Sequence, residues 1–248
     1  MALQCATDNR GFRSPYGAAG SLAYGADLTY TVWFYRGQNI AQFIKLGSIN
    51  DYYNGAITFR CNDSNYMALG TMDGKSFATT KTVARYTWTF LAWVYNHSAK
   101  YWYLYHGTEA ATVTLAHSAD FNAYSSAWYP SSGASNWHAQ IGNGSGGVAL
   151  YAGDRIAYPK LYTSALSLSD LETAQSQATP VSGKTVYGDW RLGGYSSTHL
   201  NDESGNSRTL TYDPGVVGDW SDVSNPTLPA GSSGVAKQAS YYAMLRSA

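Results

Sequence analysis

Residues Tyr86–Glu109 read YTWTFLAWVYNHSAKYWYLYHGTE, and their alternation decides the fold. With a period of two, Tyr86, Trp88, Phe90, Ala92 and Val94 share one side, and all are apolar. The opposite side, Thr87, Thr89, Leu91, Trp93 and Tyr95, is polar at its start and apolar later. Strand side chains alternate between faces, so this is a strand with one buried and one partly covered face. Asn96–Lys100 is polar and turn-like, and a second run, Tyr101–His106, ends at Gly107. Two β-rich runs joined by a short polar segment predict an antiparallel hairpin. So much aromatic surface requires a cover, and the pattern predicts a second sheet beginning with Thr29–Arg36 and closed by Val148–Tyr162. On this reading Tyr86, Trp88, Phe90 and Val94 are core. Trp93, Tyr95 and one set of the returning strand, Tyr101/Tyr103/Tyr105 or Trp102/Leu104/His106, face a ligand or partner. The choice between the two sets turns on one residue of register.

The totals agree with a β fold. Among 248 residues only 13% are charged, while glycines number 25 and tyrosines 22. Low charge with abundant Tyr, Trp, Thr and Gly favours strands and turns over helices. A chain this long buries a sizeable core without disulfides or metals. Sixteen basic and sixteen acidic residues cancel, which gives no electrostatic footprint for nucleic acid or an anionic membrane. Cys5 and Cys61, the only cysteines, are read as buried thiols rather than a disulfide. The start, MALQCATDNRGFRSP, has no apolar signal-peptide core, and no apolar run reaches membrane-spanning length.

Along the chain, residues 1–20 read as a polar N-terminal arm and 21–212 as one sandwich domain. Within the domain the predicted strands are Leu22–Tyr24, Thr29–Arg36, Gln42–Gly47, Ala56–Cys61, Tyr66–Leu69 and Ser76–Val83. After the hairpin come Ala111–Ala116, His138–Ile141, Val148–Tyr151, Arg155–Tyr162, Thr185–Leu192 and Arg208–Tyr212. Pro159 cannot donate to a ladder, so Arg155–Tyr162 carries a bulge or lies at an edge. Residues 117–136 lack any period and read as a long surface loop, a usual carrier of function. Ser167 as N-cap, Asp170 at the third helical position and Leu166 stapling onto Leu171 predict one helix, which Pro180 forbids from continuing. Residues 213–248 are rich in Pro, Gly, Ser and Asp at first and read as a linker and docking tail, with Ala236–Ala248 as its final segment.

Three segments carry a family resemblance: TYTVWFYRG, the central hairpin, and LYAGDRIAYPKLYTSALSLSDL, where a strand ending in Tyr leads through Leu-Ser into a helical turn. Over roughly residues 20–180 the chain resembles laminin-G-like, concanavalin-A-like jelly-roll domains. The resemblance implies an all-β jelly-roll sandwich of two antiparallel sheets with one short helix, here flanked by extended terminal arms. DWRL…LNDESGNSRTLTY is similar to a segment that usually starts such domains, and here it comes last, as a permuted closing strand or part of a repeated unit. Where the family places an acidic pair before the Leu-Ser turn, this chain has Ala157 and Tyr158, so that pair's role does not carry over.

The same architecture hosts glycosidases, which need two carboxylates about 5 Å apart for retention and farther apart for inversion. No predicted strand carries two acidic residues at alternating positions. Asp170 and Glu172 fall on the predicted helix, Asp202 and Glu203 in a turn. No Gly-x-Ser-x-Gly elbow occurs, and His97, His106, His117, His138 and His199 show no zinc spacing. The sequence therefore predicts no catalysis and requires no cofactor.

Calcium is the one ion its loops would suit. Asn62, Asp63 and Asn65 with Asp73, or Asn201–Glu203 with Asn206, offer oxygen ligands. The same residue types are what turns use for their own backbone bonds, and turn chemistry is the reading preferred. For ligands, exposed aromatics stack on the apolar faces of sugar rings. Trp93, Tyr95, Tyr124, Trp128, Tyr129 and Trp137 are the candidate platform, with Tyr101, Tyr103 and Tyr105 behind them. Two functions compete: a non-catalytic structural or decoration subunit docked on neighbouring subunits of an assembly such as a phage virion, and a module that binds host-surface glycans. Either places the protein on a virion, or outside a cell by a route without a signal peptide.

Overall fold

The computed structural model describes residues 2–5, 11–15, 26–37, 44–50, 56–61, 64, 66–70, 76–120, 138–142, 150–192, 200–212 and 220–230. In chain order the first strands are β1 (Ala2–Cys5), β2 (Gly11–Arg13), β3 (Leu28–Tyr35), β4 (Ile44–Asn50), β5 (Ala56–Cys61), β6 (Tyr66–Gly70) and β7 (Ser76–Thr82). Then come β8 (Trp88–Asn96), β9 (Tyr101–Thr108), β10 (Thr114–Asp120), β11 (His138–Gly142) and β12 (Arg155–Tyr162). Helix α1 (Leu168–Ser176) follows, and β13 (Val186–Asp189), β14 (Thr211–Tyr212) and β15 (Trp220–Val223) complete the fold. One sheet runs β10-β9-β8-β3-β12-β1-β15, with β13 also on β12; the other runs β14-β2-β11-β4-β5-β6-β7. The result is an all-β sandwich with one short helix.

The hairpin lies at the heart of the first sheet, and its neighbours correct the expectation about what covers it. β3 pairs with β8 along its whole length, Leu28 opposite Tyr95 through Tyr35 opposite Trp88, and β12 pairs with the other side of β3. Thr29–Arg36 and Arg155–Tyr162 therefore extend the hairpin's own sheet rather than cover it. The cover on one side is the β4-β5-β6 sheet. Against it stand Leu91, Trp93, Tyr95, Trp102 and Leu104, with Tyr30, Val32 and Phe34 from β3. On the other side Trp88, Phe90, Ala92 and Val94 form a second core with Trp33, Tyr162, Leu166, Leu171 and Ala174, the last three from α1 and its entry. Both faces of β8 are buried, because a sheet packed on both sides needs apolar residues at every position.

Trp93 and Tyr95, expected at an open face, are only 0% and 1% exposed. Phe59 packs between the sheets, 4.6 Å from the Tyr30 ring and 5.3 Å from that of Trp93. Trp93 Nε1 donates to Ala68 O and Tyr30 Oη donates to Leu46 O, each at 2.9 Å. Tyr86, expected in the core, is 64% exposed and adopts a positive φ of 56°, while its N–H donates to Arg36 O.

Other expectations met mixed outcomes. Ala2–Cys5 is not a free arm: β1 is paired with β12 on one side and β15 on the other. Nor is the region from 213 only a linker, since Trp220–Val223 is the strand that pairs with β1. Tyr151–Asp154 is a turn rather than the end of a strand; the Asp154 carboxylate accepts from Tyr151 N and Gly37 N. Pro159 does sit at a bulge, where the β12–β3 register slips between Ala157 and Lys160 and Tyr158 takes φ 50°. Cys5 and Cys61 are both buried and do not pair in a disulfide. The closing segment bridges the two sheets, β13 on β12 and β14 on β2. The predicted strand Leu22–Tyr24 and the tail segment Ala236–Ala248 lie outside the described residues.

Helix α1 forms where its caps require. Ser167 Oγ accepts from Asp170 N while the Asp170 carboxylate accepts from Ser167 N, a reciprocal box. Its far end is tied down by Gln175, 1% exposed, whose Oε1 accepts from Val113 N and whose Nε2 donates to Thr108 O and Ala111 O. Gly107 leaves room for that amide, for a Cβ there would stand 2.7 Å from Gln175 Nε2.

Two substitutions test this architecture. Trp93→Ala should lower unfolding stability by about 3–5 kcal/mol in denaturant titrations, because it empties the space between the sheets and strands the Ala68 carbonyl. Gln175→Ala should cost about 1–3 kcal/mol, since it leaves a buried N–H without a partner. An exposed Leu168→Ala change should stay within about 0.5 kcal/mol.

Candidate functional site

The register of the central hairpin decides which of its aromatics face outward. Tyr95 pairs with Trp102, Trp93 with Leu104 and Leu91 with His106. Directly opposed residues share a face, so Trp102, Leu104 and His106 point toward the second sheet, and burial lowers the pKa of the His106 imidazole. The outward set is Tyr101, Tyr103 and Tyr105, opposite Asn96, Val94 and Ala92 on β8 and opposite Asp120, Ser118 and Leu115 on β10. The three tyrosines are partly exposed.

This row lies on the same face as the second core. Tyr103 and Tyr105 lean on that core, while Tyr101 and Tyr103 stack at 5.9 Å with their planes 28° apart. A stacked pair offers solvent its hydroxyl-bearing edges and the outer ring face of its last member. Burial, then the charge of Tyr103, raises the pKa of Tyr105. On the neighbouring strand Leu115 is 50% exposed and Ser118 and Asp120 are exposed. The β10–β9 register slips between Leu115 and His117, a bulge that keeps Leu115 beside Tyr105 and Ser118 beside Tyr103. The surface thus combines hydroxyls, a carboxylate and apolar area within three strands.

A second aromatic corner lies at the other end of the face. Tyr35 meets the edges of Trp88 and Tyr86 at 5.6 and 6.5 Å, and the Arg155 guanidinium lies 4.3 Å from the Tyr35 ring centre. An exposed aromatic held at positive φ is strained, and such strain often marks a functional surface.

Of the candidate ligand residues read from sequence, Trp93 and Tyr95 are core, the Tyr95 hydroxyl reaching His97 Nδ1 in the hairpin turn. Tyr124, Trp128, Tyr129 and Trp137 lie outside the described residues, as do Asn62, Asp63, Asn65 and Asp73. The second set of oxygen ligands serves its own turn. Asp202 Oδ1 accepts from Asp189 N and Ser204 N, its Oδ2 accepts from Arg208 N, and Asn206 Nδ2 donates to Val186 O. Among the described residues no three His, Cys, Asp or Glu side chains converge as a metal site, and no helix is long and apolar enough to cross a membrane. Sequence reading missed Leu115, Ser118 and Asp120 as partners of the row, because part of β10 was assigned to a loop.

No family model and no curated protein matches the chain. Solved structures do. A putative carbohydrate binding protein from Bacteroides ovatus is similar at a TM-score of 0.57 and 12% identity, over 91% of this chain and 62% of that one. The chain therefore spans less than two thirds of that protein. A heptameric SAP-like pentraxin from Limulus polyphemus is similar at 0.53 and 10% identity, over 92% of this chain and 96% of that one. Tailspike protein 2 of an Escherichia coli bacteriophage is similar at 0.50 and 10% identity, over 76% of this chain and 30% of that one. At such identities the likeness is one of fold alone, an all-β sandwich of antiparallel sheets.

Proposed function

We propose that this chain is a non-catalytic glycan-binding module whose contact surface is the outward row of Tyr101, Tyr103 and Tyr105 with Ser118 and Asp120. The observation that carries the reading is the register of β9, which turns three tyrosines outward beside polar groups on the adjacent strand. Sugars are bound by hydroxyl and carboxylate partners together with aromatic contact, and both are present here. The exposed carboxylate of Asp120 favours neutral over acidic sugars. The fold likeness to a protein described as carbohydrate binding supports the reading.

The module belongs, on this reading, to a larger assembly such as a virion. Likeness to a phage tailspike, over 30% of that protein's length, supports the idea of one unit among several. Capsid and tail genes flanking this one would support the context, and a neighbourhood without them would count against it.

The row is tested on a glycan array followed by calorimetry. Wild-type protein should bind neutral glycans, and Tyr101→Ala and Tyr103→Ala should each weaken affinity by about 1 kcal/mol, roughly five-fold. A blank array at high protein concentration overturns glycan binding. Undiminished affinity in both variants moves the site off this face. New reducing ends after incubation with the bound polysaccharide would overturn the non-catalytic reading.

A further inference from the structure

The second core contains a lysine and an aspartate whose arrangement is poor for an ion pair and good for another chemistry. Lys160 on β12 and Asp189 on β13 are directly opposed residues of adjacent antiparallel strands. They are 1% and 0% exposed, and Lys160 Nζ lies 4.0 Å from Asp189 Oδ1. Among the described residues Nζ makes one long hydrogen bond, 3.5 Å to Tyr158 O, and Oδ1 has no hydrogen-bond partner. Desolvating two charges is repaid only when their geometry and remaining hydrogen bonds are good. Here neither is.

We propose that Lys160 and Asp189 condense into an intramolecular isopeptide bond that joins β12 to β13. The neutral amine of Lys160 adds to Cγ of the protonated Asp189 carboxyl, and the Nζ–Cγ bond forms. The Cγ–Oδ1 bond breaks, and Oδ1 leaves as water with its own proton and one from the amine. The remaining amine proton becomes the amide N–H. No oxidant, metal or cofactor enters this balance.

The surroundings favour each part of that step. Arg191 Nε donates to Asp189 Oδ2 at 3.3 Å, which places a cation on the oxygen that gains negative charge when the amine adds. Asp189 is held in place through its own N–H, which donates to Asp202 Oδ1. The Tyr158 ring centre lies 5.4 Å from Nζ and lines the amine's side. Burial, with the charge of Arg191 adding to it, lowers the pKa of Lys160 to about 8 against the pull of Asp189. Burial likewise raises that of Asp189 against the opposing pull of Lys160 and Arg191, with Asp202 adding to the rise. Both residues are thereby moved toward the neutral forms that condensation consumes. This inference is independent of what the tyrosine row binds.

Intact-mass spectrometry of the denatured, purified full chain tests it directly. The expected mass is one water below that of the sequence. Trypsin should release residues 156–184 and 185–191 as a single branched peptide, with cleavage after Lys160 absent. Lys160→Met, which keeps the aliphatic stem, and Asp189→Ala should each restore the sequence mass. A folded wild-type chain at full sequence mass overturns the proposal, as does a water loss that maps elsewhere, for example to Asp73–Gly74. Should either variant fail to fold, the branched peptide in wild-type protein still decides the matter.

Discussion

The fold depends on hydrogen bonds that cross between its two sheets. Trp93 and Tyr30 each bury a large ring and each carry one polar atom that must find a partner. Both find a backbone carbonyl in the opposite sheet, at Ala68 and Leu46. Those carbonyls occupy places where that sheet is irregular. The β4–β5 register slips between Lys45 and Gly47, skipping Leu46, and the β6–β7 register slips between Tyr66 and Ala68. A bulge takes a residue out of the ladder, so the Leu46 carbonyl gains its acceptor role from the facing sheet, whereas Ala68 stays paired with Arg60 and Ala78 beside its slip. Each sheet thus fixes the lateral position of the other, and Phe59 fills the space between the two rings.

The hairpin and the helix were legible because their signals are local. Alternation placed β8 and β9, and the Ser167–Asp170 box placed α1. The faces were not legible. On β8 every position from Trp88 to Tyr95 is buried, so a period of two distinguishes two sides without saying which meets the second sheet. Trp93 and Tyr95 were assigned outward because their side of the strand begins with Thr87 and Thr89, and what satisfies the Trp93 indole is a backbone carbonyl 25 positions earlier, which no local pattern reveals. β1 escaped notice for a different reason. Four residues, Ala-Leu-Gln-Cys, are too few to show a period, and their place in the sheet comes from β12 and β15, far along the chain.

The candidate surface had the same mixed legibility. Tyr101, Tyr103 and Tyr105 stood out as a set, but their direction needed the pairing of Tyr95 with Trp102. Their polar neighbours belong to β10, where a bulge breaks the alternation that would have announced a strand. Lys160 and Asp189 gave no signal at all. Nothing in the spacing of a lysine and an aspartate 29 positions apart shows that both are withdrawn from water and set side by side.

The pairing of Ala2 with Val223 brings an early and a late stretch of chain to one border of the first sheet, β1 and β15 side by side. The tyrosine strand is second from the opposite border, five places along from β15 in the same sheet. The late stretch does not stay at that border: Thr227 N donates to the Glu109 carboxylate just past the tyrosine strand, and Leu228 packs against the second core. The segment after β15 thus runs across the face that carries the second core and ties the β1–β15 border to the end of the tyrosine strand.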